Sequence, residues 1–248
     1  MKHLRNAFLL IACLPLAVYA QSDKINTDQP DQSTGASVIH PRSFQLETSF
    51  YVNHFPGEGT AAVSSNLLRY GLFKPLEVRV VAEQGYHRDL YITESAHGST
   101  PLAIGAKWSV LEEDETRPAV SVMAQLQLPF TNGDQLHLWS PAFTFIAEKQ
   151  LNDFTLTVNA GPKQAAYERV WDFQSTADVK YEITKAVSVF GEYFGQFEAH
   201  QEPHHNIDGG LLYTPGSRLQ LHISGGSSVQ HHPSNYFVTT GLAYHFGK

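Results

Sequence analysis

From residue 43 onward the chain alternates. Phe44, Leu46, Phe50 and Val52 fall on one face of an extended segment and Gln45, Glu47 and Ser49 on the other, and Leu76, Val78, Val80 and Ala82 oppose Glu77, Arg79, Val81 and Glu83 in the same way. The pattern returns with Leu102, Ile104, Ala106, Trp108 and Val110, with Val120, Val122, Ala124, Leu126 and Leu128, and then at Phe154–Ala160, Leu219–Ser224 and Tyr236–Phe246. A period of two is the signature of a strand whose faces meet different surroundings. Turn chemistry separates the runs, at Pro56-Gly57, Lys74-Pro75, Asn132-Gly133-Asp134, Asn152-Asp153, Gly161-Pro162, Pro215-Gly216 and Pro233-Ser234-Asn235. The expected strands are 43–54, 61–70, 76–86, 100–110, 118–128, 139–149, 153–161, 167–179, 181–197, 207–214, 218–226 and 236–246. That is about twelve; the run 167–197 can be divided differently, which leaves ten or fourteen open.

A strand with one oily and one charged face can cover a protein core, or it can separate lipid from water. The strands are long, and charge recurs on one face through Glu47, Arg69, Glu77, Arg79, Glu83, Lys107, Glu148 and Glu192. In hydrocarbon every backbone group needs an internal partner, and closing a sheet removes its edges. The fold expected for residues 42–248 is therefore all-β, a transmembrane antiparallel β-barrel of about twelve strands in an outer membrane. A soluble periplasmic β-sandwich or small barrel is the alternative. Aromatic residues lie mostly toward strand ends, among them Phe44, Tyr51, Tyr70, Phe73, Tyr86, Trp139, Tyr213, Tyr236, Phe237, Tyr244 and Phe246, where the two girdles of a barrel would stand.

The N-terminal residues supply an address. Lys2 and Arg5 precede the apolar run Ala7–Val18, and Val18-Tyr19-Ala20 has small-x-small character, so residues 1–20 read as a signal peptide. Leu10-Ile11-Ala12-Cys13 resembles a lipoprotein box, but cleavage there would strand the apolar stretch 14–20 in the product. Cys13 is the only cysteine, so the mature chain would have no disulfide, thiol chemistry or cysteine-bound cluster. The formal charge of −7 becomes more negative once Lys2 and Arg5 are removed, which argues against nucleic acid as a partner. No apolar run after the leader is long enough for a transmembrane helix. Residues 21–41, rich in Ser, Thr, Asp and Gln, read as a flexible polar arm.

The chemistry-bearing residues are few. No G-x-S-x-G elbow, P-loop or H-E-x-x-H occurs, and the glycine pairs 209–210 and 225–226 belong to strands rather than phosphate cradles. Ser224 and His222 share a strand face without a carboxylate at suitable spacing, so no enzyme and no cofactor are expected. His200, His204 and His205 in one connection, and His231 and His232 in another at the same barrel end, are candidate metal ligands; polar loops also collect histidines at no structural cost. The inward charges Glu47, Arg69, Glu77, Arg79, Glu83, Lys107 and Glu192 are expected to form an ion-pair network that narrows the lumen.

The stretch Leu67-Leu68-Arg69-Tyr70-Gly71-Leu72-Phe73-Lys74-Pro75-Leu76-Glu77-Val78-Arg79 resembles the phenol-degradation meta-pathway outer-membrane transporter family. Further pieces carry the resemblance across nearly the whole mature chain: Gly105-Ala106-Lys107-Trp108, Gln127–Asp134, Val189–Gly195, Asp208–Tyr213 and Gly241–Phe246. The resemblance implies a barrel that passes hydrophobic or aromatic compounds. Two features depart from the pattern: Gly247-Lys248 follow Phe246, where such barrels usually end on the aromatic residue read by the assembly machinery, and the connection Glu112–Glu115 is strongly acidic. The expected function is passive outer-membrane transport of small molecules of unidentified structure, with outer-membrane lipid and the barrel-assembly machinery as partners. The alternative is a closed structural or ligand-binding barrel without a conducting pore.

Overall fold

The computed structural model describes residues 24–30, 32–55, 59–88, 97–98, 102–128, 139–164, 170–229 and 235–247. Its strands are β1 (Phe44–Phe55), β2 (Gly59–Phe73), β3 (Leu76–Arg88), β4 (His97–Gly98), β5 (Ala103–Leu111), β6 (Ala119–Gln127), β7 (Ser140–Leu151), β8 (Phe154–Gln164), β9 (Trp171–Thr184), β10 (Val187–Glu198), β11 (His204–Tyr213), β12 (Leu219–Ser228) and β13 (Tyr236–Phe246). Apart from the two-residue β4, which pairs with Gly85 and Tyr86 on β3, each strand bonds antiparallel to its neighbours in chain order. The last strand returns to the first, in continuous register from Phe44↔Phe246 to His54↔Tyr236. The result is a closed twelve-strand barrel. Among the described residues no helix is long and apolar enough to cross a membrane.

Parity decides which way each residue faces. On β1, Phe44 and Phe50 are exposed on the outside while Gln45, Glu47 and Ser49 are buried within. On β6, Ala124 faces out and Gln125 lines the lumen side. The outer wall carries exposed Val78, Ile104, Phe145, Val158, Ile223 and Leu242, a surface that suits hydrocarbon and not water. Phe44, Phe73, Trp108, Phe154, Tyr181, Tyr213, Tyr244 and Phe246 ring one end of this band, and Trp139, Trp171, Phe173 and Tyr236 mark the other.

The strand boundaries correct the sequence reading in two regions. Gly161-Pro162, read as a turn, continues β8 opposite Gln174 and Phe173, the neighbouring ladder holding it extended. The segment divided in that reading at residue 180 continues to Thr184, and the chain turns at Lys185-Ala186. The turn at Asn152-Asp153 stands where its residue types placed it, with Asn152 at φ 55°, a left-handed conformation that asparagine tolerates better than most. Two aromatic residues assigned to the girdles, Tyr51 and Phe237, instead line an interior cavity. Tyr91 and Phe130, two further aromatic residues expected toward strand ends, lie outside the described residues. Short connections at 74–75, 152–153 and 185–186 share an end with the start of β1 and the finish of β13, which marks that end as periplasmic.

Candidate functional site: the occupied lumen

The polar segment before β1 lies inside the barrel. Residues 24–30 and 32–40 form neither strand nor helix, yet Ile25, Asp28, Ser33, Ala36 and Ile39 are buried. Lys24 pairs with Glu182 near the periplasmic end of β9, and His40 leads out at that end into Pro41 and β1. The segment therefore enters along residues 24–30 and returns along 32–40. Asn26 Nδ2 donates to Ser37 Oγ at 2.5 Å, and the Gly35 amide donates to Asp28 Oδ1 at 3.1 Å, tying the two limbs together. At the exit the His40 carbonyl crosses Gly71 so closely that a Cβ there would stand 2.0 Å from it.

The limbs bond to side chains from around the barrel. The Asp28 and Gln29 amides both donate to Glu47 Oε2 at 2.9 Å, and the Ile39 amide donates to Glu77 Oε2 at 3.0 Å. Across the lumen, Thr34 exchanges bonds with the Asn159 side chain, and Gln220 Nε2 donates to Thr27 Oγ1 at 2.6 Å. Ser121 Oγ donates to the Ala36 carbonyl. A peptide segment without its own ladder must find partners when buried, and the lumen wall supplies them.

Five of the seven expected lumen charges converge on Asp28. Arg69 bonds Glu77 through Nε at 3.0 Å and Nη2 at 2.9 Å, and its Nη1 reaches Glu47 at 3.0 Å. Arg79 Nη1 lies 2.7 Å from Asp28 Oδ2, with Lys107 Nζ at 3.3 Å and Arg69 Nη1 at 3.6 Å from the same oxygen. The strands alone offer three cations and two carboxylates here; Asp28 from the arm makes the cluster neutral. Burial would raise the Asp28 carboxyl above its ordinary range, but the charges of Arg69, Lys107 and Arg79 outweigh it and hold the group below.

The other two charges stand apart. Glu83 accepts from Ser65 Oγ at 3.1 Å, nearer the extracellular end. Glu192 lies on the far wall, where its two oxygens accept from Ser33 Oγ at 2.5 Å and the Gln32 amide at 2.7 Å. Beside it are inward carboxylates that the sequence reading passed over, Asp178 on β9 and Asp208 on β11, together with Asp172 nearer the extracellular end. Alternation from Asp172 through Gln174 and Thr176 to Asp178 puts two of these on one face within the expected strand 167–179, while Asp208 stands two strands away on β11. The acidic connection after β5 is a different matter. Lys74 meets Glu112 at 2.8 Å, Lys149 meets Glu113 at 3.1 Å and Arg117 pairs with Asp114, whose exposed carboxyl is held low mainly by the Arg117 side chain.

The candidate metal ligands do not gather. His200 and His204 are exposed, while His205 Nδ1 pairs with Tyr193 Oη at 2.7 Å. His231 and His232 lie outside the described residues, and among the described residues no three His, Cys, Asp or Glu are grouped to hold a metal. His222 Nε2 pairs with Ser49 Oγ at 2.9 Å, so Ser224 is not its partner.

Two cavities flank the arm. The extracellular one, about 520 Å³, has Gln29, Pro30 and Gln32 of the arm in its lining, with Tyr51, Glu83, Phe194 and Phe237 among the wall residues. The periplasmic one, about 470 Å³, lies between Lys24–Asn26, Ser37–His40 and wall residues that include Arg69 and His245.

A closed barrel with an apolar outer belt and a charged, water-facing interior is an outer-membrane β-barrel. The chain belongs to the family described as "Putative MetA-pathway of phenol degradation", whose model matches residues 27–246. Among solved structures, an outer-membrane channel from Pseudomonas putida F1 shares the fold with a TM-score of 0.60 at 10% identity, covering 89% of this chain and 100% of that one. The NanC porin gives 0.58 at 8% identity over 80% and 98%, and the KdgM porin, solved with disordered oligogalacturonate, 0.55 at 10% over 82% and 99%. No curated protein sequence matches the chain.

Proposed function

We propose that the protein is a passive outer-membrane channel for small molecules, hydrophobic or aromatic compounds among them, held closed by its own N-terminal arm. The arm carries this reading: it separates two cavities that together span much of the barrel, and it is held by hydrogen bonds and ion pairs rather than by a covalent link. Rings at Tyr51, Phe194 and Phe237 give the extracellular cavity an apolar side suited to an aromatic solute. No cofactor or energy coupling is needed for diffusion down a gradient. The second reading is a closed structural or ligand-binding barrel, favoured by the neutral, densely bonded cluster around Asp28.

Planar-bilayer recordings separate the two. Full-length protein should open rarely, and deletion of residues 24–39 should give a steady conductance several-fold larger. If the correctly folded deletion variant carries no current, the channel reading fails and the closed barrel stands. Uptake of phenol into liposomes bearing the deletion variant, compared with a neutral sugar of similar size, tests the solute class.

A further inference from the structure

Glu192 on β10 is the direct cross-strand partner of Asp178 on one side and of Asp208 on the other. All three face the lumen, with exposures of 2% for Asp178, 4% for Glu192 and 9% for Asp208. Like charges directly opposite one another repel, and low local polarity sharpens the repulsion. Glu192 has relief from the arm, through Ser33 and the Gln32 amide. Asp178 and Asp208 have none of that kind: all four of their carboxylate oxygens are buried without a hydrogen-bond partner. Lys180, the cation closest along β9, sits two residues toward the periplasmic end.

A separate group points the same way. Ser224 on β12 is 5% exposed, and its Oγ is also buried without a partner. Asp208 pairs across the strands with Gly226, and Ser224 with Gly210. The two side chains thus occupy opposite corners of a cross-strand square whose other corners are bare. They lean over that bare backbone: a Cβ on Gly226 would lie 2.5 Å from the Asp208 Cβ, and one on Gly210 would lie 2.7 Å from the Ser224 Cβ. Directly toward the extracellular side on the same faces are Phe194, Gln196 and Asn206, which line the open cavity.

We infer that the Glu192–Asp208 end of this row, with the Ser224 hydroxyl, binds a small monovalent cation that enters from the extracellular cavity, Asp178 adding its charge from the neighbouring strand. Oxygen donors alone suit a hard cation. Neighbouring strands stand about 5 Å apart, so one ion reaches adjacent carboxylates but not all three, and the compact group of three metal ligands that would favour a divalent ion is not present among the described residues. A cation supplies what the wall lacks, a positive charge between adjacent carboxylates and a partner for their empty oxygens.

The test uses the refolded full-length chain in detergent and follows thermal unfolding at fixed ionic strength in sodium, potassium or N-methyl-D-glucamine chloride. The small alkali ions should raise the Tm of the wild type by about 2–4 °C over the bulky cation, as a ligand bound only by the folded state does. The shift should disappear in D178N/D208N and shrink in S224A. If the double variant does not refold, D208N alone is compared by sodium-ion NMR relaxation, which should show broadening with wild type and little with the variant. A wild type that melts at one temperature in all three salts overturns the site, as does an alkali-dependent shift that survives in D178N/D208N. Neither readout needs an open pore, so the outcome is independent of the channel reading.

Discussion

The lumen has two unlike walls. Along β1, β2, β3 and β5, the charges Glu47, Arg69, Glu77, Arg79 and Lys107 pair with one another and are balanced by Asp28, although Arg79 Nε is left without a hydrogen bond. Along β9, β10 and β11, Asp178, Glu192 and Asp208 face the same interior with four oxygens unpartnered. The same period of two built both walls. The difference comes from what the arm delivers: an ionised side chain to the first, and only a hydroxyl and a backbone amide to the second. Its one described cation, Lys24, goes instead to Glu182 at the rim. Filling a barrel and neutralising it are separate tasks, and this arm does the second on one side only.

The largest expected effect breaks the charge-paired wall. Replacing Arg69 with Gln leaves Glu47 and Glu77 buried with less compensation and should cost about 3–5 kcal/mol, read from the urea midpoint of the refolded barrel. D178N on the opposite wall removes a carboxylate that has no bond to lose, so in N-methyl-D-glucamine chloride it should be neutral or stabilising. Equal losses from the two substitutions would erase the distinction between the walls.

A smaller effect should be confined to the arm. Asp28→Asn removes the charge shared by Arg69, Arg79 and Lys107 while keeping a similar shape, and should weaken arm docking by about 1–3 kcal/mol. Hydrogen exchange should then rise in residues 24–40 with β7–β10 unchanged. Exchange that rises equally throughout the barrel would mean that Asp28 supports the whole fold and is not specific to docking.

The smallest effect is on selectivity. In the pore formed after deletion of residues 24–39, R79Q should move the reversal potential in a salt gradient toward cations, and D208N should move it toward anions. Water in the open lumen screens both, so shifts of a few millivolts are expected. Two shifts of the same sign would show that the walls do not act separately on passing ions.

Much of the barrel was legible because its physics is local. A strand between lipid and water must alternate, and Phe44, Glu47, Val78 and Arg79 declare their faces to any reader of the sequence. The same parity, applied within the expected strand 167–179, also announces Asp178. What alternation cannot convey is distance around the barrel: it turns Glu83 and Glu192 inward like Glu47, yet only closure and register place one above the cluster and the other across from it. Asp28 was hidden for a stronger reason. It sits in a stretch with no period, where Ser, Thr, Asp and Gln are as compatible with solvent as with a polar cavity. Only the assembled wall, with Arg69, Arg79 and Lys107 brought to one point from three strands, makes burial of that carboxylate favourable. The sequence by itself determined the closed sheet and its two faces, because each strand answers to its immediate surroundings. Tertiary structure decided what occupies the interior, because that depends on charges far apart in the chain being compensated together.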